Sequence, residues 1–167
     1  NPLDKGKVIN LVSGAKWNEM LELNRMAFDD YLPKNSESRC ISITIKLIKK
    51  NAPHIKWLLS YSDGTKCGDG TIYRASGFVL TQINTNSTIW QTPNGLSFAG
   101  TSMTAKGKNA SPIKVKDVKE DLYKTTGIWI KETGASSMKQ FRELGCKPIE
   151  GFQLRYIYLI DKTCKIT

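Results

Sequence analysis

Ser60, Asp63 and Tyr73 are the side chains whose types and spacing point to chemistry. Ser60-Tyr61-Ser62-Asp63 closes the apolar run Ile55-Lys56-Trp57-Leu58-Leu59. A strand ending in hydroxyls and a carboxylate brings polar groups to the edge of a sheet, where ligands of α/β proteins bind. After a loop, Gly70-Thr71-Ile72-Tyr73-Arg74-Ala75-Ser76-Gly77-Phe78 reads as a short helix with one phenol and a Gly-Phe exit. The two stretches place Ser60, Asp63 and Tyr73 near one point. A carboxylate accepts a proton and a phenol supplies one, so the pair suits general acid–base work. A plainer reading stands beside this one. Asp63 then serves as a turn carboxylate bonded to the backbone near Gly64, and Tyr73 as a half-buried core residue.

These side chains need a frame. Leu21, Leu23, Met26 and Phe28 alternate as in a strand. A turn-rich connection follows at 29–35. Ser36 to Lys50 fits both periods, but its length and its Lys-rich last turn before Asn51 and Pro53 favour a helix capped by Asn35 or Ser36. Strands follow at 55–61 and 78–83, around the short helix at 71–76. Residues 84–112 are rich in Asn, Thr, Ser and Gly and read as an irregular insert. Beyond it come a helix at 114–124, a strand at 127–131, a helix at 136–144 stopped by Gly145, and a strand at 153–160. The expected fold class is α/β (α+β), a mixed central sheet flanked by helices. With 167 residues the chain reads as a single domain over 1–167.

The bulk properties narrow the function classes. No apolar stretch approaches the ~20 residues that span a bilayer, and no signal peptide is visible. Cys40, Cys67, Cys146 and Cys164 form no CxxC pair, which removes zinc-ribbon and thioredoxin readings. They read as reduced thiols in a cytoplasmic protein. His54, the single histidine, cannot build a histidine metal site alone. Net charge is +10, from 25 Lys and Arg against 15 Asp and Glu, with lysines clustered at 46, 49 and 50. Such a surplus favours polyanions; the plainer reading is a solvated surface.

The order strand–helix–strand–helix–strand, with a Tyr on the second helix and a Gly-Phe exit, resembles the GNAT acyltransferase superfamily. Within it, four segments together resemble the phage Mom DNA-modification family. They are Glu22-Leu23-Asn24-Arg25, Leu32-Pro33-Lys34-Asn35-Ser36-Glu37-Ser38-Arg39, Ser60-Tyr61-Ser62-Asp63 and Gly70-Thr71-Ile72-Tyr73-Arg74-Ala75. They cover roughly residues 20–80, with a weaker echo at Arg155-Tyr156-Ile157-Tyr158-Leu159. The resemblance implies addition of a carbamoylmethyl, or related acyl-derived, group to the exocyclic amine of adenine. In phage DNA this shields the molecule from host restriction, and the work is done in the host cytoplasm.

The resemblance also implies roles. Asp63 accepts from the amine and Tyr73 protonates the leaving group; Ser60, from its place at the strand end alone, is a further catalytic candidate. Ser36, Ser38 and Arg39 hold the phosphates of an acetyl-CoA or related acyl donor, and Arg25 binds a phosphate of the donor or of DNA. The helix start at Asn35-Ser36-Glu37-Ser38-Arg39 departs from the usual GNAT phosphate loop in having no glycine. Residues 1–19 are too few for all the strands that normally come first, and the chain opens Asn1-Pro2, so part of the fold is expected upstream. DNA is the expected partner, double-stranded or transiently opened, since the target atom lies within a base pair. Trp90 and Phe98 are candidates for stacking on the extruded base, with core packing the more common role for such residues. Iron is linked to the family, with His54, Asp63 and Cys67 near one another in sequence. Two alternatives stay open: an ordinary GNAT N-acetyltransferase acting on a small amine or a protein, and a non-catalytic nucleic-acid-binding module of the same fold.

Overall fold

The computed structural model describes residues 5–24, 26–65, 68–104, 112–130 and 135–167. Its elements, in chain order, are α1 (Lys5–Val8), β1 (Val12–Ser13), β2 (Met20–Leu23), α2 (Ser36–Asn51), β3 (Trp57–Asp63), α3 (Thr71–Ala75) and β4 (Val79–Asn86). Then come β5 (Ile89–Gln91), β6 (Ser97–Ala99), α4 (Gly100–Thr104), α5 (Pro112–Thr126), α6 (Ala135–Glu143) and β7 (Lys147–Pro148). The chain closes with β8 (Gly151–Leu159) and β9 (Lys165–Ile166). The mixed α/β class read from the sequence is the one found. The residues gather into two compact units, one running to Asn84 and resuming at Phe152, the other Thr85–Gly151.

The first unit is built on a four-stranded sheet in the order β2-β3-β8-β4. β2 runs parallel to β3, and β8 is antiparallel to β3. Both faces of β3 are covered, which is why Trp57-Leu58-Leu59 is an unbroken apolar run. Side chains alternate across a strand. Trp57 and Leu59 therefore pack with Met20, Ile157, Val8 and Val12 on one face. Leu58 packs with Ile41, Ile45, Phe78 and Tyr156 on the other. Ile41 and Ile45 stand one turn apart on α2 and give the helix its buried stripe. Among the described residues, no helix is long and apolar enough to cross a membrane.

The second unit has a sheet of order β6-β5-β7 and a core in which Phe98, Leu122 and Phe141 are prominent. It corrects two expectations. The stretch 84–112, read as an irregular insert, carries the antiparallel β5–β6 pair with register Trp90↔Phe98, followed by α4. And 127–131 is not a strand over its described residues, 127–130. Gly127 adopts φ +68° and its N–H donates to the Tyr123 carbonyl at 2.8 Å, closing α5. Ile130 beyond it is buried without strand pairing, because β propensity counts only where a neighbouring strand is there to pair.

Candidate active site

The parallel β2–β3 pair comes apart at its carboxyl end. The last matched residues are Leu23 and Ser60, and β3 continues to Asp63 paired only with β8. The strand expected from the alternation of Leu21, Leu23, Met26 and Phe28 thus stops at Leu23. At that point the Ser60 hydroxyl donates to the Leu23 carbonyl at 2.9 Å, so a side-chain bond ties the end of β2 to β3. Beyond the parting lies a pocket of about 570 Å³, lined by Asn24, Phe28, Tyr61, Ser62, Asp63 and Tyr73 among others. Openings at the carboxyl ends of parallel strands are where α/β proteins take ligands.

Asp63 is half-buried at the tip of β3 and accepts the Thr65 N–H at 2.9 Å. That bond turns the chain sharply, as a short acidic side chain does at a strand end. Tyr73 reaches the same pocket from α3. Its ring lies 5.4 Å from Tyr156 and 5.5 Å from Phe78, centroid to centroid. Contact with two neighbouring rings holds the phenol in one direction.

A polar clamp fixes α3. The Asp69 carboxylate accepts from the Thr71 N–H at 3.1 Å and pairs with Arg74 at 2.6 Å. The Tyr156 hydroxyl donates to the Asp69 carbonyl at 2.6 Å. The guanidinium and the Thr71 donors favour the charged carboxylate, so Asp69 titrates well below the usual range, at about 2. The same pairing raises Arg74. Tyr61, on the pocket wall, is raised by burial. Because the native form of Asp69 is the more acidic one, its contribution to stability is present above about pH 4. It fades as pH falls toward 2. The pair is solvent-exposed, so its worth is small and the sharper readout is the titration itself. A carbon-13 titration is expected to give Asp69 an apparent pKa near 2, and Arg74→Gln is expected to move it back toward 3.8. An unmoved Asp69 in that variant would remove Arg74 as the cause.

The other expected site residues fall elsewhere. Ser60 is fully buried, and its hydroxyl is committed to Leu23. It ties β3 to the end of β2, and Ser60 is not among the residues that line the pocket of Asp63 and Tyr73. Ser36, Ser38 and Arg39 line a second opening, a groove of about 650 Å³, together with Lys34, Lys46 and Lys49. The Ser36 hydroxyl donates to the Pro33 carbonyl at 2.6 Å and that of Ser38 to the Asn35 carbonyl at 3.1 Å. Asn35 precedes the helix in a left-handed conformation, φ 69°, and its side chain makes no capping bond. Of the helix's first turn, it is Glu37 that lines the pocket holding Asp63. Trp90 and Phe98 are buried in the second unit and belong to its core, not to a stacking surface. Arg25 and Cys67 lie outside the described residues. His54 is exposed, and among the described residues no three of His, Cys, Asp and Glu gather as a metal site.

Sequence reasoning missed Phe28, Tyr61 and the Asp69–Arg74–Tyr156 clamp. Phe28 and Tyr61 lie in or beside the motif segments, but only the parting of β2 from β3 shows that they face a pocket. Tyr156 comes from a strand 82 residues away from Arg74, a pairing no local pattern announces.

The pocket and the groove belong to a chain with known relatives. The family model described as the Mom protein family matches residues 1–167. The chain belongs to the Mom protein family. It is also similar to the methylcarbamoylase mom of Escherichia phage Mu, with 46% identity over 59 residues. That match takes in 35% of this chain, and the chain spans 24% of the relative's length.

Proposed function

We propose that this protein modifies DNA, adding a carbamoylmethyl or related acyl-derived group to the exocyclic amine of adenine and so protecting phage DNA from restriction. The observation that carries the reading is the joint placement of Asp63 and Tyr73 in one pocket where two parallel strands part. Family membership and the printed name of the phage Mu relative support it.

The chemistry asks for two proton movements. Adenine's amine is a poor nucleophile because its lone pair is delocalised into the ring. As the new bond to nitrogen forms, the amine must lose a proton, and the Asp63 carboxylate is the acceptor. For the acyl-derived product, a thioester donor of the GNAT type passes its acyl carbon to the nitrogen and its thiolate leaves, taking a proton from the Tyr73 phenol. The carbamoylmethyl group, joined to nitrogen through its CH2, needs a donor that carries the leaving group on that carbon, and there too Tyr73 is the group placed to protonate what departs. The first turn of α2 suits the donor's phosphates. Amides at a helix start favour anions, and Arg39 adds a guanidinium on the groove wall, where Ser36 and Ser38 would have to give up their bonds to the Pro33 and Asn35 carbonyls to donate to a phosphate. Arg25 is assigned to a phosphate from the sequence motif alone.

The base has to leave the duplex stack to meet these groups. Phe28 and Tyr61 are aromatic side chains that share the pocket with Asp63 and Tyr73, and they take the stacking role expected of Trp90 and Phe98. The test is direct. DNA from cells expressing the protein is digested and its nucleosides are weighed by mass spectrometry. A deoxyadenosine derivative heavier by the added group is expected, and only unmodified deoxyadenosine would overturn the proposal.

A further inference from the structure

The groove along α2 holds more positive charge than the donor's phosphates require. Arg39, Ser42, Lys46 and Lys49 all line it, at spacings of three, four and three residues, which is one face of a helix. From Arg39 to Lys49 the helix rises about 15 Å at ~1.5 Å per residue. Lys34 adds a cation before the helix starts, and no Asp or Glu lines the groove. None of these four cations takes part in an ion pair among the described residues. The opposite wall carries Ser76 and Tyr158. The Ser76 hydroxyl is buried and has no hydrogen-bond partner among the described residues. It is a donor of the kind that phosphate oxygens accept. Lys162 stands over the Tyr158 ring, its Nζ 4.8 Å from the centroid, and brings another cation to that wall.

We infer that the length of this groove beyond the first turn of α2, centred on Ser42, Lys46 and Lys49, is a track for the phosphodiester backbone of nucleic acid. A diphosphate needs one compact cluster of donors. A line of cations ~15 Å long suits a ligand that repeats its charge every ~3.4 Å of axis on each strand. The carboxylates support the division. Glu37, Asp63 and Asp69 all line the pocket of Asp63 and Tyr73, where a neutral base is expected, and none lines the groove. The inference rests on DNA as partner, not on the transfer chemistry.

The experiment measures binding of a short duplex DNA to the full chain across a salt series, in the wild type and in Lys46→Gln/Lys49→Gln. Each lysine lost from a phosphate contact lowers the slope of log affinity against log salt by about one. The double variant is therefore expected to lower the slope by about two, whereas Lys147→Gln/Lys165→Gln, exposed lysines outside the groove, leaves it unchanged. Coenzyme A serves as the small phosphate probe, measured by calorimetry, and its affinity is expected to be the same in the double variant and the wild type. An unchanged DNA slope in Lys46→Gln/Lys49→Gln overturns the inference. So does loss of coenzyme A binding in that variant, which would give the whole groove to the donor. A lowered slope in a protein that leaves adenine unmodified keeps the track and removes only the proposed reaction.

Discussion

Asp63→Asn and Tyr73→Phe are each expected to reduce adenine modification by about 10²- to 10⁴-fold, the range lost when a positioned acid or base is removed. Both changes are small in shape. The asparagine side chain keeps an oxygen for the Thr65 N–H that turns the chain after β3. The phenylalanine ring keeps the contacts with Tyr156 and Phe78 and lacks only the hydroxyl. Melting midpoints close to the wild type are therefore expected, and lost product will report chemistry. Because the two groups serve one transfer, the double variant should lose little more than the worse single one. The readout is product per DNA adenine by mass spectrometry after a fixed time. Wild-type levels in both single variants would remove Asp63 and Tyr73 from the reaction, whatever became of the reading as a DNA-modifying protein.

What was legible in the sequence was local. α2 declares itself by length, by a last turn holding Lys49 and Lys50, and by the isoleucines at 41 and 45. β3 does so by an unbroken apolar run that only a doubly covered strand supports. α3 was legible too, since Gly70, a short polar turn and the Gly77-Phe78 exit leave room for little else. What depended on distant partners was not legible. Ser60 looked catalytic because it stands near a strand end. Its role is set by register with Leu23, 37 residues away, and register is a property of the pair of strands. The alternation of Met26 and Phe28 resembled a strand, yet pairing had already ended at Leu23.

The same distinction divides the proposed site. Ser36, Ser38 and Arg39 were assigned together with Asp63 and Tyr73 because one motif family carries them all. The structure puts the first three on the groove and the last two in the pocket. Neighbours on a helix point in directions ~100° apart, so Glu37 can line one opening while Ser36 and Ser38 line another. Sequence spacing names the helix, and only the sheet against which it packs decides which opening each side chain lines. The long Asn- and Gly-rich stretch misled for a related reason. Short strands such as β5 and β6 have too few residues for a period to show, and they exist because Trp90 and Phe98 meet within a core.

Gly70→Ala is expected to be the most costly addition of one methyl group in the first unit. Gly70 has φ +70°, a conformation that costs an L-residue roughly 1–2 kcal/mol. A methyl group there would also stand 2.7 Å from Cζ and Oη of Tyr156, which is fully buried and bonded to the Asp69 carbonyl. The ring cannot retreat without breaking that bond, so overpacking adds about 1–3 kcal/mol. Together they reach about 2–5 kcal/mol, a large share of the ~5–15 kcal/mol that holds a typical domain. Gly127→Ala supplies the comparison. Its φ is +68°, and a Cβ there meets nothing within 4 Å, so it carries the backbone strain without the clash. Chemical denaturation of the two variants should therefore show Gly70→Ala to be the more destabilised by the overpacking term. Equal losses would mean that Tyr156 gives way freely and does not set the position of α3. The functional consequence follows from the same contact. Tyr73 is three residues along from Gly70, and its ring rests on Tyr156 at 5.4 Å. A methyl that pushes those two apart moves the phenol out of the pocket it shares with Asp63. Loss of modification in Gly70→Ala should persist at temperatures where the variant is still folded.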